Sequence, residues 1–126
     1  MSAVNRVLEI RSYRLQPGSR AEFHRLMAEH SAPLLRAWGM DVVRFGPSLH
    51  EPDAYFLMRA FDSLAHLEQS QAAFYATPAW RQGPREAIVS RIVSDANTVV
   101  ELPERAIEAL REAGRAAAGP TVTMPT

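Results

Sequence analysis

Residues 7–15 read Val-Leu-Glu-Ile-Arg-Ser-Tyr-Arg-Leu, and Pro17-Gly18 follows. Leu8 and Ile10 alternate with Glu9 and Arg11, and a period of two places chemically different side chains on the two faces of a strand. Proline and glycine then end the run. Ser19 comes next with Glu22 three residues on, the spacing of a capping box in which the serine accepts from a free helix amide and the glutamate reaches back. Phe23, Leu26, Met27, His30, Leu34 and Trp38 recur at spacings of three and four, which makes one apolar stripe suited to lying on a sheet. Gly39 is placed to close that helix in the left-handed conformation. Pro33, inside the stretch, has no N–H to give and predicts a bend beside His30.

Outward from this strand and helix, Met40 to Phe45 carries Val42, Val43 and Phe45 and reads as a second strand. A turn-rich connection over 46–53 joins it to a third, Ala54 to Phe61, so the two form a hairpin. Asp62 or Ser63 caps a helix running to Tyr75, and Thr77-Pro78 restarts a short one that holds Trp80. Asn97 to Leu102, with Thr98, Val99 and Val100, is the fourth strand, stopped by Pro103. The order β-α-β-β-α-β is the split βαβ pattern of the ferredoxin-like α+β fold, a four-stranded antiparallel sheet with helices on one face. The other face needs cover, and two copies packing sheet to sheet as a dimeric α/β barrel would supply it. The expected division is a domain over residues 1–102, an appended helix over 103–118, and a flexible tail over 119–126.

The composition fits one core. The chain has 126 residues, 47% of them apolar and 22% charged, ordinary values for a globular domain of this length. Fourteen basic residues balance fourteen acidic ones, so no basic stripe is available to a phosphate backbone and nucleic acid is not an expected partner. With no cysteine there is no thiolate nucleophile or thiolate metal site, and no apolar run approaches the roughly 20 residues of a membrane span. A cytoplasmic protein is the expectation.

The ordered landmarks Leu8-Glu9-Ile10-Arg11-Ser12-Tyr13, Pro17-Gly18, Phe23, His30-x-x-Pro33, Trp38-Gly39-Met40, Asp62-Ser63-Leu64-Ala65 and Pro78-x-Trp80 resemble the NIPSNAP family within the dimeric α/β-barrel superfamily. The resemblance covers roughly residues 7 to 102 and leaves the helix after Pro103 outside. It implies the ferredoxin-like fold and a homodimer, with assembly beyond the dimer left open. Relatives in the superfamily include cofactor-free monooxygenases of aromatic polyketides, lactone isomerases, cyclases and haem proteins, and fold alone does not choose among them.

Two sets of residues carry candidate chemistry. Glu9, Arg11 and Tyr13 share one face of the first strand. One reading makes them a polar pocket, Tyr13 as donor and Glu9 as base; the other makes Glu9, Arg11 and Arg59 an ion-paired network inside the dimer barrel. Strand parity assigns this set to the open sheet face. His30, placed on the apolar stripe and of the residue type whose ordinary pKa lies near neutrality, is the leading acid or base, expected to face the gap between helix and sheet. Arg11 and Tyr13 would orient polar substituents. Met27, Phe56, Met58, Phe74, Tyr75 and Trp80 could line an apolar pocket for a flat aromatic ligand, with Glu9 and Arg59 beside it. His24, His50 and His66 show no ligand spacing, so neither a metal nor another cofactor is expected. The function that follows is a small dimeric protein, enzyme-like toward a hydrophobic aromatic or polyketide-like metabolite. The alternative is a noncatalytic binding or scaffold dimer using the helix after Pro103.

Overall fold

The computed structural model describes residues 4–117. Residue 118 and the expected tail over 119–126 lie outside the described residues. Strand β1 (Asn5–Leu15) lies between β3 (Ala54–Phe61) and β4 (Ile92–Pro103), and β2 (Asp41–Pro47) pairs with β3, giving an antiparallel sheet of order β2-β3-β1-β4. Helix α1 (Arg20–Leu26), a π-turn (Met27–Ser31) and α2 (Ala32–Trp38) join β1 to β2. Helices α3 (Leu64–Tyr75), α4 (Pro78–Arg81) and α5 (Arg85–Val89) join β3 to β4, and α6 (Glu104–Ala117) follows. This is the βαββαβ order expected of the sequence. The fourth strand starts earlier than Asn97 because polar Ser94 and Asp95 mask an edge strand that pairs with β1 from Ile92 onward. Among the described residues no helix is long and apolar enough to cross a membrane.

The ends of the helices follow local chemistry, with one exception. Gly39 closes α2 at φ 107°, where a side chain would be strained. Ser63 accepts from the His66 amide at 3.0 Å and Thr77 from the Trp80 amide at 3.3 Å, capping α3 and α4. At α1 the expected capping box does not form. The Ser19 hydroxyl donates to the Gln16 carbonyl at 2.8 Å, and Glu22 is taken by Arg25.

The bend expected at Pro33 takes the form of the π-turn. The Ala32 amide reaches the Met27 carbonyl, five residues back. A π-turn adds one residue to the helical repeat, so every later position is rotated relative to an unbroken α-helix. The buried residues are therefore Phe23, Leu26, Met27, Ser31, Ala32 and Leu35, while His30 turns to solvent.

The register settles which face carries what. Glu9 lies opposite Arg59, Arg11 opposite Leu57 and Tyr13 opposite Tyr55, and Leu57 and Tyr55 belong to the core beneath the helices with Phe23, Met27, Leu35, Phe74 and Trp80. Glu9, Arg11 and Tyr13 thus face the helices, and their expected place on the open sheet face is corrected. The open face carries Leu8, Ile10, Met58, Val43 and Ala60 instead.

Part of that open face is covered by the chain itself. Helix α6 lays Ile107, wholly buried, on Leu8, Val43 and Ala60, a burial that contributes about 1.5–3 kcal/mol. Arg111 donates to Asp41 at 3.0 Å, and Asp41 also accepts from Arg6 at 2.8 Å, so α6, β1 and β2 are tied at one carboxylate. Gly114 passes over the stem of Arg44, whose Cγ would stand 3.1 Å from an added Cβ. The face expected to take its cover from a second copy is thus covered in part by the chain itself, α6 lying over its β2 side.

Candidate functional site

Between the helices and the sheet lies a cavity of about 530 Å³, within the roughly 300–1,000 Å³ of small-molecule sites. The sheet supplies Arg11, Tyr13, Leu57, Ile92 and Asp95 to it, and the first helical segment supplies Met27, Ser31 and Leu35. The second segment closes it with Tyr75, Trp80 and Ile88, and exposed Arg81, Arg85 and Val89 stand at the rim.

Its aromatic wall is closely packed. Phe74, Tyr75 and Trp80 pack edge to face and tilted, with centroids 5.2 Å apart for Phe74–Tyr75, 5.3 Å for Tyr75–Trp80 and 5.7 Å for Phe74–Trp80. Thr77-Pro78 turns the chain so that Tyr75 ends one helix and Trp80 sits in the next. Both rings then reach the same cavity.

Behind this wall lies a buried charged hub. Arg59 donates from Nε to Glu9 Oε1 at 2.6 Å, with neither side chain exposed, and from Nη1 to the Tyr75 hydroxyl at 2.7 Å. The other Glu9 oxygen accepts from Gln71 at 2.9 Å, from Asn97 at 2.9 Å and from Arg11 at 3.4 Å. Burial pushes the Glu9 carboxyl up, but the Arg59 charge and hydrogen bond, the bond from Gln71 and the Arg11 charge more than offset it. Glu9 is therefore held below its ordinary range, fully bonded and ionised, and cannot serve as a base. Burial likewise opposes the Arg59 charge, and Tyr75 and Glu9 outweigh it.

Tyr13 stands on the cavity wall as a neutral donor. Burial pushes its phenol up to about 12, against the pull of Arg11. Arg11 makes a long contact of 3.9 Å to Asp95, among the described residues the one carboxylate lining the cavity, and its Nε is buried without a hydrogen-bond partner.

The structure thus brings together Arg11, Tyr13, Met27, Tyr75 and Trp80 of the residues expected from sequence, with Glu9 and Arg59 immediately behind Arg11 and Tyr75. It does not bring in the rest. His30 lies outside, lining a surface depression with Pro33, Ala79 and Pro84; the π-turn has put Ser31 in its place. Phe56 and Met58 are on the opposite face of the sheet, opposite Ser12 and Ile10, with Phe56 beneath the Arg44 guanidinium at 5.7 Å. Phe74 backs the aromatic wall from within the core. Sequence reasoning missed Ser31, Arg81, Arg85 and Asp95. The one signal that could have found Asp95 is its parity with Asn97 and Val99 on a strand extended toward Ile92.

Among the described residues no group of three or more acidic or histidine side chains could hold a metal ion. His66 accepts from the Asp62 amide at 3.1 Å, and His24 shares a hydrogen bond of 2.6 Å with Tyr55. A second concavity, about 560 Å³, follows β2 between α1 and α6, but its Arg111 and Arg115 are engaged by Asp41, Glu108 and Glu112.

Solved structures of similar shape agree with this architecture. A NIPSNAP family protein of unknown function from Agrobacterium tumefaciens superposes with a TM-score of 0.70 at 21% identity, covering 78% of this chain and 88% of that one. A NIPSNAP-like domain protein from Burkholderia xenovorans gives 0.70 at 16% identity, covering 99% and 92%. A presumed antibiotic biosynthesis monooxygenase from Nitrosomonas europaea gives 0.57 at 13% identity, covering 82% and 92%. At these identities the likeness speaks to the fold alone. No curated protein matches the chain. The NIPSNAP family model, however, matches residues 8–104, from the first core residue of β1 to the first residue of α6, and the chain belongs to the NIPSNAP family.

Proposed function

We propose that the chain is a small enzyme whose helix–sheet cavity takes a flat hydrophobic metabolite, aromatic or polyketide-like. The observation that carries this is the cavity itself: a chamber of about 530 Å³ walled by Tyr75 and Trp80, with the polar groups of Arg11 and Tyr13 set on its sheet side. A packed gap would have argued for a structural domain. The reaction class that suits it is cofactor-independent oxygenation of an enolisable substrate. In it dioxygen oxidises a CH₂ to C=O and one water leaves, so no further reductant is required. Arg11 and Tyr13 orient the substrate oxygens, and Trp80 stacks on its ring.

The scaffold alternative is less well supported, because Ile107 of α6 is already used against the chain's own sheet. The working unit is a cytoplasmic homodimer. Ile10, Met58 and Val100 remain only partly covered on the open face, and β2 and β4 each keep one free edge. Light scattering that returned a clean monomer would contradict the dimer. For the ligand, a panel of phenols, anthrones and β-dicarbonyls titrated against tryptophan fluorescence should quench Trp80 and lose that quenching in Trp80→Phe. No response from any member would contradict the cavity reading.

A further inference from the structure

The cavity reading leaves open the charge state of the ligand, and the inference below rests on that reading. Among the described residues three arginines, Arg11, Arg81 and Arg85, line the cavity against a single carboxylate, Asp95. The donors on its wall are Arg11, which reaches Glu9 at 3.4 Å and Asp95 at 3.9 Å, with Tyr13 and Tyr75. Arg11 Nε is buried and unpartnered. Tyr75 receives the Arg59 Nη1 proton on its hydroxyl oxygen at 2.7 Å, so the hydroxyl's own hydrogen is left to point elsewhere. Tyr13, two residues along the same face of β1 from Arg11, stays protonated well past neutrality.

Behind these donors Arg59 is fixed by Glu9 at 2.6 Å, which places a buried cation against the phenol oxygen. A phenol that accepts from a guanidinium is a stronger donor to its next partner, because hydrogen bonds in a chain polarise one another. The arrangement offers positive charge and O–H and N–H donors. Among the described residues no histidine lines the cavity, Glu9 behind it is fully bonded, and the carboxylate on its wall is Asp95, 3.9 Å from Arg11.

We propose that the cavity takes its aromatic ligand as a preformed oxyanion, an enolate, phenolate or carboxylate. Arg11, Tyr13 and Tyr75 hold the anionic oxygen, and the Arg59–Glu9 pair acts as the positioning group behind Tyr75. The ligand's acidic proton is lost to solvent before binding, so the site needs no general base. This accounts for a chamber rich in donors and cations and free of histidine. A preformed anion meeting a preorganised set of donors is also the condition in which such donors contribute most.

The test is calorimetric titration of the full chain with three probes of one shape: 2-naphthoate, 2-naphthamide and 2-naphthol. Near neutral pH, naphthoate should bind about tenfold or more tightly than naphthamide, the worth of one charge-assisted hydrogen bond. Naphthol should gain affinity as pH rises along its own ionisation. Arg11→Met and Tyr75→Phe should each weaken naphthoate by about ten- to a hundredfold and leave naphthamide within about twofold. Arg36→Met, in the groove along β2, should change nothing. Equal binding of naphthoate and naphthamide, or loss in Arg36→Met alone, overturns the oxyanion site while leaving the cavity a ligand site. Binding of none of the three removes the cavity reading itself. Because Tyr75→Phe strips Arg59 of a partner, its unfolding midpoint is measured alongside; if it does not fold, Arg11→Met decides.

Discussion

Arg59 and Glu9 face each other across β3 and β1, Nε to Oε1 at 2.6 Å, both wholly buried on the helix-covered side of the sheet. The pair sits between two functions. It neutralises charge at the centre of the fold, and through Tyr75 and Arg11 it reaches the wall of the cavity.

Breaking the pair from one side leaves a buried charge uncompensated. Arg59→Met should cost about 3–5 kcal/mol in urea unfolding. The double replacement Glu9→Leu with Arg59→Met should recover most of that loss, because neither charge is then left unpaired. A double variant as unstable as the single one would show that the network's worth lies in its hydrogen bonds to Gln71, Asn97 and Tyr75.

Acid should unfold the protein in part through Glu9. Its folded pKa is lowered from the ordinary 4.5, so the stability it contributes is fully present above about 4.5 and lost as pH falls through the lower folded value. Urea midpoints should therefore fall steeply below that pH. In Glu9→Gln the neutral-pH midpoint should be lower and its decline in acid shallower; an unchanged slope would remove Glu9 as the cause.

His30→Ala should leave both stability and probe binding unchanged, within about 0.5 kcal/mol, as for other exposed positions. Ser31→Leu, one residue on, should disturb both: it adds volume to a buried cavity wall and should cost about 1–3 kcal/mol. Naphthoate titration of the two variants separates them, and a loss in His30→Ala would restore the histidine as a site residue.

The contrast between these neighbours shows what the sequence could and could not carry. The elements were legible because they are local: alternation in β1, the Ser63 and Thr77 caps, the Gly39 stop. Pro33 announced a disturbance, but not that the helix would answer with an inserted residue, and one residue was enough to exchange His30 for Ser31. Strand parity failed for a related reason. Alternation tells that Glu9, Arg11 and Tyr13 share a face but not which one, because Gln71 and Asn97, which satisfy the Glu9 charge, come from 62 and 88 residues away. The place of α6 was illegible too, because Ile107 finds Leu8, Val43 and Ala60 only once the sheet exists.

Ile107→Ala should cost about 2–5 kcal/mol, a side chain lost from a fully buried site. Since α6 covers the β2 side of the open face, the same change should also expose apolar surface, read as increased binding of a hydrophobic dye. A loss under 1 kcal/mol would mean that α6 is not held against the sheet in solution.

The central claim is that the chamber between helices and sheet holds an aromatic oxyanion, and a crystal structure with 2-naphthoate tests it most directly. The account predicts the ring against Trp80 and the carboxylate on Arg11 and the Tyr13 and Tyr75 hydroxyls. A naphthoate seated in the β2 groove beside Arg36 and Arg44, or a cavity left without it at saturating concentration, would contradict the claim.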